Sequence, residues 1–149
     1  RDLRMSRGLG DVYKRQLLLM DEPTNGLDIP GKSAFRKFIA SSLRPDQTVI
    51  ISTHQIRDID TILDNVVIMD NRKVIFNQSV AEITQRLCFV DTPDHELEKA
   101  ALYAQKTPGG NSLILPADGM DSELNLETLF NFALEAPETL NRLFNTERN

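Results

Sequence analysis

The run Leu17-Leu18-Leu19-Met20-Asp21-Glu22-Pro23-Thr24-Asn25-Gly26-Leu27-Asp28 constrains this chain more than any other stretch. Four apolar residues end in two adjacent carboxylates, then a proline, then a tight turn that closes on a third carboxylate. An unbroken apolar run of this length reads as a strand buried on both faces, the habit of parallel sheets covered by helices. Such sheets bind ligands beyond the carboxyl ends of their strands, which is where Asp21 and Glu22 are delivered. There one acid can hold a metal ion while its neighbour orients or deprotonates a water.

Acids also terminate strands merely for solubility, but a solubilising strand end has no need of the turn Pro23–Asp28. A second apolar run, Thr48-Val49-Ile50-Ile51-Ser52-Thr53, delivers His54 in the same manner, 33 positions after Asp21. A histidine after a strand is more often a hydrogen-bonded surface residue than a catalyst. At the ligand-binding edge of an α/β sheet, however, an imidazole can donate to a phosphate and register its presence. The order and spacing of these elements resemble the ATP-binding subunit of ABC transporters, over roughly Leu17 to Leu87. Leu17–Pro23 resembles its Walker B segment, Asn25–Asp28 its D-loop and His54 its switch histidine.

The resemblance implies ATP and Mg²⁺ as cofactors, with Asp21 coordinating the metal through water. Glu22 is then the general base or the residue that orients the attacking water, and His54 contacts the γ-phosphate. Asn25, Gly26, Leu27 and Asp28 would face a second ATP-binding subunit. It also implies a transmembrane permease partner and a cytoplasmic, peripheral place on the inner face of the membrane. The short acidic tail is similar to the carboxyl-terminal additions of bacterial exporter-type subunits. Two other readings share some of these residues: a soluble ABC-type ATPase of repair or translation, and a small stand-alone P-loop module.

The last of these rests on Gly26-Leu27-Asp28-Ile29-Pro30-Gly31-Lys32-Ser33, which satisfies the phosphate-loop pattern G-x-x-x-x-G-K-S. Val66–Asp70 could then pose as the metal-binding strand. Against it, Glu22–Asn25 intervene between strand and loop, and Pro30 lacks the amide a phosphate cradle needs. That reading also leaves Asp21, Glu22, Asp28 and His54 without a role. Gly31-Lys32-Ser33 is better explained as the first turn of a helix.

Further along, Pro30 suits a helix start, and Phe35, Phe38, Ile39 and Leu43 make one apolar stripe before Arg44-Pro45 ends it. Ile56, Ile59 and Leu63 predict a short helix after His54. Val66–Met69 and Lys73–Phe76 flank Asp70-Asn71-Arg72 as a hairpin. Ser79 and Glu82 have capping-box spacing for a helix over Ser79–Leu87. After Cys88 the pattern becomes short strands at Phe89-Val90, Ala101–Gln105 and Leu113–Leu115, with a turn at Pro108-Gly109-Gly110. A loop over Asp118–Glu123 leads to a helical stripe of Leu126, Leu129, Phe130, Phe132 and Ala133, and Pro137 starts a last helix through Leu143. The expected fold class is α/β: a partial P-loop NTPase-type parallel sheet with flanking helices over 17–90, then a small α+β appendage over 91–149.

Composition sets the outer bounds. One cysteine, Cys88, excludes an internal disulfide. No run approaches the ~18 apolar residues of a membrane-spanning helix, so no direct membrane insertion is expected. Residues 91–149 carry four basic against eleven acidic side chains, a net charge of −7, which argues against a nucleic-acid surface there. Asp91, Asp94, Glu96 and Glu98 lack liganding spacing and read as a solvated face, and His95 as a surface residue. Arg1–Gln16 has no periodicity and resembles translated adapter sequence, so it reads as a non-native leader. Neither a glycine-rich phosphate loop before Leu17 nor a Leu-Ser-Gly-Gly signature is present. The chain therefore reads as the carboxyl-terminal half of a longer ATPase, with negligible turnover expected from these residues alone.

Overall fold

The computed structural model describes residues 16–56 and 59–145. They form a mixed α/β chain of small sheets and helices, and it divides into two compact units between Ile62 and Leu63. The leader expected at 1–16 lies outside the described residues apart from Gln16.

The first unit contains strand β1 (Leu17–Asp21), helix α1 (Ile29–Ser42), strand β2 (Thr48–Ser52) and a 3₁₀ turn (Asp60–Ile62). β1 and β2 pair in parallel, from Leu17 opposite Thr48 to Asp21 opposite Ser52. The ladder extends at both ends, where Thr48 N–H donates to the Gln16 carbonyl at 2.7 Å and Glu22 N–H to the Ser52 carbonyl at 2.8 Å. The parallel sheet has these two strands among the described residues, and its burial departs from expectation. Leu17, Leu19 and Ile50 are more than half exposed, while Leu18, Met20, Val49 and Ile51 are half-buried. Alternate residues of a strand point to opposite faces, so one face of this pair is covered and the other is not.

Helix α1 begins as its sequence dictates. Asp28 is the N-cap and its carboxylate accepts from Gly31 N–H at 2.8 Å, with Pro30 in the first turn. Of the expected stripe Ile39 is fully buried, and Phe35, Phe38 and Leu43 are half-buried. The helix expected after His54 is 3₁₀ where it is described, at Ile56 and over Asp60–Ile62, and residues 57 and 58 within it lie outside the described residues. Three apolar positions define a helical face only if enough hydrogen-bonded turns lie beneath them, and short helices gain little from propensity.

The second unit begins with a hairpin of β3 (Asn65–Asp70) and β4 (Lys73–Ser79). Its turn residues Asn71 and Arg72 both have positive φ, 47° and 65°, the backbone of a primed turn whose twist matches the strands. A register shift between Ile68 and Met69 bulges the ladder. Helix α2 (Val80–Arg86) follows with the full capping box: Glu82 N–H donates to the Ser79 hydroxyl, and the Glu82 carboxylate accepts from the Ser79 N–H.

Strands β5 (Leu87–Thr92), β6 (Tyr103–Thr107) and β7 (Gly110–Pro116) form an antiparallel sheet in the order β5-β7-β6, with one helical turn, α3 (His95–Glu98), before β6. Helices α4 (Leu126–Glu135) and α5 (Pro137–Asn145) complete the unit. Residue 90, the last of the expected 17–90 portion, lies inside β5. Helix α4 touches β3, β4 and β7, which ties the hairpin to the three-stranded sheet. Phe76, Ile83, Leu87, Ile114, Leu129, Phe132 and Leu140 form the core, each with at most 1% of its surface exposed. Tyr103 stacks on Phe132 with ring centroids 5.0 Å apart, and its hydroxyl donates to Glu135 at 3.0 Å. Burial beside that carboxylate pushes the Tyr103 phenol up to about 12.

Gly110 opens β7 at φ +134°, where a Cβ would stand 2.6 Å from the Thr92 carbonyl oxygen and 2.9 Å from Pro93 Cα. Both neighbours are backbone and cannot swing aside. Gly110→Ala is therefore expected to destabilise the second unit by about 1–3 kcal/mol, read as a lower urea midpoint at unchanged slope.

Candidate functional site

The parallel register brings the two strand ends together. Asp21 lies opposite Ser52, whose hydroxyl donates to the Asp21 carboxylate. Glu22 follows with φ +45°, a left-handed conformation uncommon for a residue with a side chain. That turn sends its carboxylate across to the residues following β2. Oε1 accepts from the His54 backbone N–H at 2.9 Å and lies 2.6 Å from His54 Nδ1, and Oε2 accepts from the Thr53 hydroxyl at 2.9 Å. These donors, the imidazole first, hold the Glu22 carboxyl below the usual glutamate range despite a contrary desolvation effect. An ionised carboxylate accepts only, so the proton between the two groups belongs to Nδ1. The ring is otherwise open, with 73% of the His54 side chain exposed.

The turn after Glu22 is closed by backbone bonds from Asn25 N–H to the Glu22 carbonyl at 3.1 Å and from Leu27 N–H to the Thr24 carbonyl at 3.2 Å. Gly26 sits at φ +77°, as a tight turn of this kind demands of one of its residues. Asn25, Gly26 and Asp28 are exposed and Leu27 is half-buried. Thr24 is fully buried, and its hydroxyl has no hydrogen-bond partner among the described residues.

Asp21, Glu22 and His54 thus converge on one end of the β1–β2 pair, as their positions in the sequence imply. Lys32 is elsewhere, in the first turn of α1, with Nζ 3.0 Å from Gln55 Oε1. The Gly31 amide, which a phosphate loop would turn to its anion, is occupied by the Asp28 carboxylate. A phosphate there would have to displace a negative charge, so the G-x-x-x-x-G-K-S match has the geometry of a capped helix.

Two contributors escaped the sequence: Ser52, which holds Asp21, and Thr53, which holds Glu22. Both were legible only as strand residues, because the strand register that aims their hydroxyls is not written in either run. No group of three or more histidines, cysteines and acids able to hold a metal exists among the described residues. The donor set still suits Mg²⁺, which keeps several waters and takes one or two protein carboxylates beside substrate phosphates. Asp21 supplies one such exposed carboxylate at the strand end. His95 and the acids around it lie in the second unit, where His95 Nδ1 faces Glu98 at 3.4 Å and the Asp91 carboxylate accepts from Ser112. No described helix is long and apolar enough to cross a membrane.

No protein-family model matches the chain. Curated relatives do. The ABC transporter ATP-binding protein NatA of Bacillus subtilis is 29% identical over 72 residues, covering 48% of this chain and 29% of its own length. An uncharacterized ABC transporter ATP-binding protein of Methanocaldococcus jannaschii is 20% identical over 119 residues, 80% of this chain and 44% of its own. An energy-coupling factor transporter ATP-binding protein of Mycoplasmoides gallisepticum is 37% identical over 64 residues, 43% of this chain and 20% of its own. The chain spans less than half the length of each of these relatives. It is a relative, over part of their length, of the ATP-binding proteins of ABC transporters.

Proposed function

We propose that this chain carries the water-activating and phosphate-sensing part of an ABC-type ATPase that drives transport through a membrane permease. The observation that supports it is the meeting of Asp21, Glu22 and His54 at one end of two parallel strands. In this reading Leu17–Pro23 is the Walker B segment of the 17–90 ATPase portion, and Asp21 would hold Mg²⁺ through a water. The bound ion would neutralise charge on the phosphate oxygens. Glu22, ionised and aimed by three donors, accepts a proton from the attacking water. His54 meets the terminal phosphate with Nε2. With Nδ1–H kept on Glu22, Nε2 donates to a phosphate oxygen when the ring is the imidazolium.

Asn25–Asp28 are the contact with a second ATP-binding subunit, and Asp28 joins that contact to helix α1 through its cap. The acidic α+β region over 91–149 favours an exporter-type system, and the place of work is the cytoplasmic face of the membrane, held there by the permease. The glycine-rich cradle for the phosphates is absent from these residues, so they bind nucleotide weakly and turn over negligibly without one.

In a complete ATP-binding protein containing this segment, Glu22→Gln is expected to lower kcat by about 10²–10⁴-fold while ATP still binds. Steady-state hydrolysis and equilibrium nucleotide titration check this, and normal turnover would remove Glu22 from the role of base. Lys32→Ala leaves ATP affinity unchanged in the same titration, whereas a phosphate-loop lysine could not be lost without losing binding.

Acid titration reports on the Glu22–His54 pair. The folded-state carboxyl lies below its unfolded value, so the pairing is present above the unfolded value and is lost as pH falls through the folded one. In a carboxyl-carbon NMR titration Glu22 is expected to titrate below the other exposed glutamates, and His54→Ala to return it toward them. A Glu22 midpoint unmoved by that substitution would contradict the pairing.

A further inference from the structure

Behind Glu22 lies a chain of hydrogen bonds that the reaction described above does not use. Lys32 Nζ, on the first turn of α1, donates to Gln55 Oε1 at 3.0 Å. The Gln55 backbone N–H donates to the Thr53 hydroxyl oxygen at 2.9 Å, and that hydroxyl donates to Glu22 Oε2 at 2.9 Å. All three contacts are part-buried. A hydroxyl has one proton. With the Gln55 N–H occupying a lone pair of Thr53 Oγ1, the rotor is fixed and its proton is directed at the carboxylate, and these two bonds polarise one another, while Lys32 acts only by holding the Gln55 side chain.

The two carboxylate oxygens are therefore held by different means. Oε1 depends on His54, through its backbone amide and its ring, and Oε2 on Thr53. The His54 ring is the exposed member. Were it to turn to a phosphate, Oε1 would keep the amide and Oε2 the hydroxyl, so the carboxylate plane would be retained without the ring.

Resting on the reading of Glu22 as the base, we propose that Thr53 is its positioning residue, held in turn by Gln55 and by Lys32 of the helix that Asp28 caps. The lysine of the chance phosphate-loop match thereby acquires a task, anchoring the residue after the histidine instead of a phosphate. Asp21, bound to Ser52, and His54, bound to Glu22 itself, also stand at this line.

The first arm of the test needs no nucleotide and uses the isotope-labelled 149-residue chain. Thr53→Val, which keeps the branched shape, is expected to release the Glu22 side chain from its single rotamer, read from three-bond couplings at neutral pH, Thr53→Ser to restore it, and Lys32→Met to loosen it by less. In the unmodified chain the Thr53 hydroxyl proton is expected to exchange slowly with water, a readout that stands whether or not a variant folds. A Glu22 rotamer indifferent to Thr53→Val, or a freely exchanging Thr53 hydroxyl, overturns the proposal.

The second arm uses a complete ATP-hydrolysing protein containing this segment. Thr53→Val is expected to lower kcat about ten-fold with KM for ATP held, and Thr53→Ser to recover it. An unchanged kcat overturns the positioning role. Absent hydrolysis by the unmodified protein would instead overturn the ATPase reading, leaving the rotamer and exchange readouts to judge the hydrogen-bond line on their own.

Discussion

The site depends on the register of one pair of parallel strands. Because side chains alternate, a slip of a single residue between β1 and β2 would exchange every inward side chain for an outward one. It would also part Asp21 from the Ser52 hydroxyl and Glu22 from the donors of Thr53 and His54. The register is closed at the site end by the Glu22 N–H bonding to the Ser52 carbonyl, after which the backbone turns through φ +45°. Left-handed backbone at a residue with a Cβ costs on the order of 1 kcal/mol or more. It persists here because the turn is what carries the carboxylate to three donors, and hydrogen bonds to a charged group are the strong ones. The strain and the site are one feature.

The same turn sets the approach to helix α1. Asn25 and Leu27 complete backbone bonds within it, Gly26 takes the left-handed conformation, and Asp28 stops the turn by capping the helix. One carboxylate therefore does what an anion would otherwise do at that helix start. This disposes of the phosphate-loop pattern on physical grounds: a pattern of residue types names which groups are present, whereas the N–H of Gly31 shows where one of them is spent.

Much of this was legible from sequence. Strand ends, the capped start of α1, the hairpin around Asn71 and Arg72 and the capping box of Ser79 and Glu82 all follow from local chemistry within a few residues. The burial of β1 and β2 was not legible, because an unbroken apolar run looks alike whether one face or two are covered, and Leu19 is 67% exposed. Where it is described, the helix expected after His54 is 3₁₀, since three apolar positions span too few turns to sustain an α-helix. Nor could the sequence show that the β3–β4 hairpin shares a core with the residues beyond 91. That follows from contacts of α4 with β3, β4 and β7, which are distant in the chain. In the site itself the charged residues were legible and the hydroxyls that aim them were not, since Ser52 and Thr53 pass as ordinary β-formers.

His54 and Glu22 have competing claims on one another. A carboxylate that hydrogen-bonds the imidazole gains a low titration point and a fixed direction, and a low titration point makes it the weaker base. The imidazole, with Nδ1 committed at 2.6 Å, presents Nε2 as an acceptor while neutral, which is the wrong sign for a phosphate oxygen. Both limits are lifted together if the ring swings to an anion with Nδ1–H: the ring then donates, and Glu22 loses its largest acidifying partner and becomes more basic. On the proposed reading of Glu22 as the base, the pairing would restrain proton abstraction until a phosphate draws the ring away. It can act so only because Thr53 and the His54 backbone amide hold the carboxylate independently of the ring.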